Sequence, residues 1–309
     1  MLIANTFTKK QTIALVDGAI IADLISAMRP KQWMKNFVLF AGILFSQNLF
    51  NLYLFAVDFA AFIIFIVLSS AIYLINDVND IESDRLHPIK RYRPIAAGRI
   101  SPVTAVISST VFAILALTAA FTLSFRFGLV ALAYYGMMQA YSLGLKRIVI
   151  LDVMIIALGF VLRAIAGAVV VGVSISPWLL LCIIFFSLLL AFGKRRQELV
   201  SLGSNAKGHR ANLGEYSAQF LDYLLTALTA LTIISYIFYT LAPRTVATLG
   251  TSNLVYTIPF VVFAILRYFY LVQQKNLGGR PEGLLSADKQ LFITAFLWSV
   301  TSGIIIYFV

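Results

Sequence analysis

Charge is scarce in this sequence. Of its 309 residues only 12% are Asp, Glu, Lys or Arg, while 61% are hydrophobic, against roughly 25% and 45–50% in ordinary globular chains. That shortage excludes a water-soluble globule. A single cysteine, Cys182, excludes an intramolecular disulfide and any thiolate cluster for zinc or iron–sulfur. Two histidines, His87 and His209, are too few for a metal site built on imidazole. A bound metal is therefore expected to be a hard cation held by carboxylates. No GxGxxG, phosphate-loop spacing or nucleophile elbow occurs. Basic residues outnumber acidic ones 24 to 13, a net charge of +11. They are divided among short loops between apolar runs, which argues for a positive membrane face and against nucleic acid.

What the chain does have is long uncharged runs, and a transmembrane helix needs about 20 largely apolar residues. Reading between charges gives nine spans, at 35–50, 54–75, 103–123, 127–145, 148–171, 177–193, 218–241, 252–272 and 288–308. Before them, Lys9 and Lys10 precede a stretch interrupted by Asp17 and Asp23, which does not make a secretory signal. Ile13, Val16, Ile20, Leu24 and Ala27 follow helical spacing, so 13–28 is expected to be an amphipathic helix lying on the membrane. Orientation follows from the basic residues. Twenty of the 24 fall on the N-terminal segment and alternate loops, against two, Arg126 and Arg244, on the opposite loops. The basic side is expected to be cytoplasmic, with the N-terminus inside and the C-terminus outside. The expectation is one all-α, polytopic membrane domain over 1–309, with long cytoplasmic loops at 76–102 and 193–216.

The densest polar stretch closes the second span: Asn76-Asp77-Val78-Asn79-Asp80-Ile81-Glu82-Ser83-Asp84. At 100° per residue Asp80 and Asp84 lie at about −60° and −20° from Asp77. Three carboxylates thus line one helical face, and like charges so close repel unless a cation sits among them. Mg2+ accepts carboxylates while keeping water and phosphate oxygens as its other ligands. A solvated acidic helix end is the plain alternative. A basic run follows, with Lys90, Arg91 and Arg93 between His87 and Arg99. Lipid headgroups alone would explain such cations, but not their place beside the acids. Acids for a metal next to arginines for oxygens suit a diphosphate. Asp152 and Arg163 lie about 20° apart around one helix, and ionisable residues inside a membrane face a cavity or a partner. Arg267 is either a ligand or a snorkelling anchor. Lys194-Arg195-Arg196-Gln197-Glu198 opens a polar loop that could close over a substrate, with Arg196 itself read as a plain basic anchor.

Asn76-Asp77-x-x-Asp80-x-x-x-Asp84 followed by Arg91-x-Arg93-Pro94-Ile95-x-x-Gly98 resembles the first signature of the UbiA superfamily of intramembrane prenyltransferases. The resemblance implies nine helices around a central cavity and a Mg2+-bound diphosphate substrate. Arg29-Pro30-Lys31-Gln32-Trp33-x-Lys35-Asn36, Tyr141-Ser142-x-x-Leu145-Lys146, Asp152, Arg163, Gly193-Lys194-Arg195 with Glu198, and Leu266-Arg267-Tyr268 are similar to its decaprenyl-phosphate phosphoribosyltransferase branch. Where aromatic prenyltransferases usually carry a second acidic motif, this chain has Lys146-Arg147. That departure suits an added phosphate.

The branch implies transfer of 5-phosphoribose from phosphoribosyl diphosphate to a polyprenyl phosphate. Asp77, Asp80 and Asp84, with Asn76, would hold Mg2+. Lys90, Arg91 and Arg93 would grip diphosphate. Lys146, Arg147 and Lys194 would take the 5-phosphate, Asp152 the ribose hydroxyls, and Lys35 and Asn36 the lipid phosphate. Tyr141, Ser142, Arg163, Arg195, Glu198 and Arg267 complete the expected substrate-binding set. The acceptor is already an anion, so no strong general base is needed. Two rivals stand beside this reading. One is a prenyltransferase moving a prenyl group to an aromatic acceptor. The other is a non-enzymatic transporter or lipid-binding protein, which gives the acidic triplet no task. The implied partners are both substrates, membrane lipid and further copies of the chain, without nucleic acid.

Overall fold

The structure, a computed structural model, describes residues 20–202, 214–279 and 281–309. All of its regular elements are helical, and no strand occurs among the described residues. The first helices are α1 (20–27), α2 (Ala41–Phe45), α3 (Leu52–Asn79), α4 (Ile81–Leu86), α5 (Pro102–Leu123) and α6 (Phe125–Leu143). After them come α7 (Leu151–Val170), α8 (Pro177–Leu202), α9 (Ala218–Leu241), α10 (Pro243–Leu249), α11 (Ile258–Lys275), α12 (Pro281–Ala287) and α13 (Lys289–Phe308).

Seven segments are long and apolar enough to cross a membrane: α3, α5, α7, α8, α9, α11 with the 3₁₀ turn before it, and α13. The chain is an integral membrane protein. Of the other two expected spans, one takes another form and one is a continuous but more polar helix. The stretch 35–50 lies partly in a 3₁₀ helix, Pro30–Phe40, and partly in the five-residue α2. It ends where Gln47 adopts a left-handed backbone, φ 60°, and its side-chain amide donates to the carbonyls of Leu249 and Ile306. In place of 127–145 the chain forms α6, 19 residues long. Arg126, Tyr134, Tyr135, Gln139 and Tyr141 make it more polar than the seven. Of the expected interfacial helix, 20–27 is helical and 13–19 lies outside the described residues. Leu24 and Ala27 of α1 pack on Leu74, Ile95 and Ile100, while Ile20, Ile21 and Ile25 are exposed.

Helix ends follow local chemistry. Ser101 caps α5 by accepting from the Thr104 amide, with Pro102 in the first turn. Ser217 caps α9 and Asp288 caps α13 in the same way. Such side chains satisfy amides that no helical carbonyl can reach. Asn276, φ 51°, ends α11 in the left-handed region.

The described residues fall into two compact units. One comprises those up to Phe37 together with Phe62–Leu143; the other comprises Val38–Ala61 and those from Gly144 to Val309. In the first, α5 packs along α6, and Phe65 meets Phe127 and Tyr134. In the second, α8 lies against α7 and α9, and α11 against α9 and α13. Leu189, Phe192, Leu221, Leu225, Leu271 and Val272 form its core.

Within this second unit, residues 38–45 run flush against α7. A Cβ on Gly167 would stand 1.9 Å from the Leu39 carbonyl oxygen, and one on Gly42 would stand 2.8 Å from the Ala168 backbone. Small residues permit such backbone approach between membrane helices. Gly167→Ala should therefore lower thermal stability in detergent by about 1–3 kcal/mol, as overpacking does. Gly303→Ala, where nothing lies within 4 Å, should leave the tryptophan-fluorescence melting curve essentially unchanged.

Candidate active site

The acidic stretch sits where α3 gives way to α4. Helical hydrogen bonds continue through the junction, Asp80 N–H to Asn76 O and Asp84 N–H to Asp80 O, so Asp77 and Asp84 stay on one face. Both are 2% exposed. Arginines compensate them. Arg93 Nη1 donates to Asp77 Oδ1 at 3.1 Å and to Asp84 Oδ2 at 2.6 Å. Arg29 Nη2 donates to the same Asp77 oxygen, and the guanidinium lies over the Tyr73 ring, 4.8 Å from its centroid. Two carboxylates and two guanidiniums balance locally.

Asp80 takes another course. Its backbone departs from the helix (φ −101°) between α3 and α4, and Oδ2 accepts from Asn76 Nδ2 at 3.1 Å. Asn76 Oδ1 in turn accepts from Ser142 Oγ at 3.3 Å. Among the described residues no three acidic, histidine or cysteine side chains gather as metal ligands. The expected triple cluster is a carboxylate pair on an arginine with the third carboxylate beside it. The donor set nonetheless fits a hard dication, because its oxygens are anionic and two of them already converge on one cationic nitrogen.

Several neighbours hold this arrangement. Asn36, fully buried, donates to Ser69 Oγ at 3.3 Å. Trp33 Nε1 donates to Ser70 Oγ and to the Met28 carbonyl. Both serines belong to α3, so the Arg29–Asn36 stretch is pinned along it. Lys35 is half-buried, Tyr141 and Ser142 are buried, and Lys90 and Arg91 are exposed, with Arg91 stacked on Tyr92. His87 Nδ1 accepts the amides of Ile89 and Lys90 and shapes the turn.

The second unit has its own ionic cluster. Asp152, in the first turn of α7 and 0% exposed, accepts from Arg195 Nε at 3.2 Å and Nη2 at 3.0 Å. Arg195 Nη1 reaches Glu198 Oε2 at 2.9 Å. Tyr216 OH points at Asp152 Oδ1 and accepts the Ile150 amide at 2.7 Å, and burial raises its phenol pKa above the ordinary value. Asp152 is thus engaged by Arg195. Arg163, on the same helix, donates back to the Gly159 carbonyl at 3.0 Å. Lys146 is half-buried, while Arg147 and Lys194 are exposed. Of the loop 193–216, residues 203–213, with His209, lie outside the described residues.

Two arginines have structural partners. Arg267 pairs with Asp288, the cap of α13, at 2.7 Å, which ties α11 to α13. Arg196, read as a plain basic anchor, is buried: it donates to Asp222 Oδ1 at 2.5 Å, Asn276 Oδ1 at 3.0 Å and the Val272 carbonyl at 3.1 Å. A stem flanked by apolar helices buries a guanidinium whose Nε and Nη1 meet acceptors. Sequence reasoning missed Arg29 and Tyr216 as members of these clusters. Arg29 had a signal in its place before Pro30 and Trp33, whereas Tyr216 had none.

The all-helical fold has a counterpart among solved structures. A UbiA homologue from Archaeoglobus fulgidus, bound to DMAPP and Mg2+, shares the fold with a TM-score of 0.70 at 19% identity, over 92% of this chain and 99% of that one. The chain belongs to the UbiA prenyltransferase family, whose model matches residues 36–281. It is 34% identical to the decaprenyl-phosphate phosphoribosyltransferase of Mycolicibacterium smegmatis over 94% of both chains. It is 32% identical to that of Mycobacterium tuberculosis over 94% of this chain and 96% of the other.

Removing Arg195 would leave the Asp152 carboxylate buried without its cation. Arg195→Met should cost about 3–5 kcal/mol in detergent unfolding, and Asp152→Asn in the same chain should recover much of it. Asp288 tests the other pair. The Arg267 hydrogen bond holds its carboxyl below the usual carboxylate range, so its contribution is complete above the unfolded pKa and is lost as pH falls through the folded one. Asp288→Asn should lower the melting temperature at pH 7 and make it less sensitive to pH below about 4.

Proposed function

We propose that this chain transfers 5-phosphoribose from phosphoribosyl diphosphate to a polyprenyl phosphate of the decaprenyl type, with release of diphosphate. The observation that carries the reading is the convergence of buried Asp77 and Asp84 on one nitrogen of Arg93, a place where metal and diphosphate charges can exchange with protein charges. Near-full-length likeness to phosphoribosyltransferases, and Lys146-Arg147 in place of a second acidic motif, favour this donor over a prenyl diphosphate.

Asp77, Asp80 and Asp84, with Asn76, would hold Mg2+. When bound, the metal neutralises charge that builds on the departing diphosphate. Arg29 and Arg93 turn from carboxylate oxygens to diphosphate oxygens, joined by Lys90 and Arg91. The bond from the ribose anomeric carbon to diphosphate breaks, and its electron pair leaves with the diphosphate. A phosphate oxygen of the lipid, guided by Lys35 and Asn36, then bonds to that carbon. The acceptor oxygen carries no proton to remove, so positioning and electrostatics supply the rate. Lys146, Arg147 and Lys194 take the 5-phosphate, and Glu198, held by Arg195 at the open edge of the buried Asp152 pair, presents oxygens to the ribose hydroxyls. Arg163 orients that region, and Tyr141 and Ser142 steady Asn76.

The same reading includes a single membrane domain, nine crossings counting 35–50 and α6, and an interfacial N-terminal helix. Its basic loops face the cytoplasm, where the sugar donor dissolves, while the lipid tail stays in the bilayer.

Purified protein given Mg2+, labelled phosphoribosyl diphosphate and polyprenyl phosphate should move label into the lipid extract. Asp80→Ala should reduce that transfer by at least about a hundredfold without loss of folded protein on size-exclusion chromatography. Product formed instead from prenyl diphosphate and an aromatic acid would favour the rival reading.

A further inference from the structure

The second unit holds another polar recess, at the opposite end of α7 from Asp152. α7 has 20 residues, about 30 Å at 1.5 Å per residue. The turn that follows it brings Ser176 into the wall of a small, partly open recess. Leu179 and Tyr239 supply apolar wall; Ser46, Arg244 and Thr245 supply polar groups. Thr245 is 4% exposed, and its hydroxyl has no hydrogen-bond partner. The buried Ser176 hydroxyl also has none.

Buried hydroxyls are normally satisfied by protein or by something bound beside them, so two orphans in one recess point to a ligand with oxygen acceptors. Two other hydroxyls there have partners within the protein. Ser46 donates to the Ile43 carbonyl and accepts from Asn48, and Thr248 donates to the Arg244 carbonyl. Arg244 is exposed at the rim. None of the residues around the pocket is acidic. A guanidinium with hydroxyl donors and no carboxylate selects an oxyanion.

We propose that this recess binds a phosphate group, supplied either by a phospholipid headgroup or by free phosphate. Arg244 carries the charge complement, and the Thr245 and Ser176 hydroxyls donate to the phosphate oxygens. The proposal is independent of the transferase reading, since none of its residues takes part there.

Native mass spectrometry of the full-length protein in detergent provides the test, with three probes: dioctanoyl phosphatidylglycerol, inorganic phosphate and phosphate-free dioctanoylglycerol. Wild type should retain one of the two phosphate probes and not the glycerol lipid. Retention of the lipid but not of phosphate identifies a headgroup; retention of phosphate identifies the free anion. Arg244→Gln should weaken the retained probe at least about tenfold, and Thr245→Val should weaken it too. Arg244 is exposed, so its variant decides the matter even if Thr245→Val fails to fold. Equal retention by wild type and Arg244→Gln, or retention of neither phosphate probe, would overturn the proposal.

Discussion

Two carboxylates at the end of an apolar helix are costly to bury, and the way Asp77 and Asp84 are compensated governs what surrounds them. An uncompensated ion in such a place would cost several kcal/mol. Arg93 answers both acids with one nitrogen, and Arg29 adds a second donor to Asp77. That requirement explains the local construction. Arg29 accepts a left-handed backbone, φ 57°, and Trp33 and Asn36 fasten the following residues to Ser70 and Ser69 of α3. Arg85 donates to the Ala96 carbonyl and steadies the loop that delivers Arg93.

The two units use the same chemistry to different ends. The Arg29 and Arg93 side chains keep 23% and 25% of their surface exposed, whereas Arg195 keeps 4%. A guanidinium with a quarter of its surface open can trade a carboxylate for a phosphate oxygen at small cost. One sealed against Asp152 cannot leave without stranding a buried charge. Reach, more than the number of contacts, separates an exchangeable ion pair from a fixed one. Arg196, 11% exposed beside Asp222, is nearer the fixed kind, whereas Arg267, 25% exposed beside Asp288, has the reach of Arg93 although it braces α11 against α13.

Much of this was legible in the chain, and the part that was not follows a pattern. Spacing of seven placed Asp77 and Asp84 on one face, as their shared partner bears out. Spacing of three placed Asp80 beside them, and its carboxylate accepts from Asn76, one helical turn earlier. Apolar runs located the seven long spans well. They could not show that 35–50 would be interrupted, because the reason is long-range: Gln47 reaches carbonyls more than 200 residues away. Arg196 looked like an anchor for the same reason, since its partners come from α9 and the end of α11. Gly42 and Gly167 carry no signal in sequence beyond being small, and their role depends on which backbone approaches. Chemistry written into one turn was readable; chemistry assembled by distant helices was not.

The central claim is that Asp77 and Asp84 exchange guanidinium for metal when diphosphate arrives to receive the arginines. Equilibrium binding of Mn2+, followed by electron paramagnetic resonance in purified protein with and without diphosphate, tests it most directly. Exchange predicts positive coupling, with Mn2+ bound at least about fivefold more tightly when diphosphate is present, and loss of that coupling in Arg93→Gln. An Mn2+ affinity indifferent to diphosphate, after correction for complexes formed in solution, would contradict it.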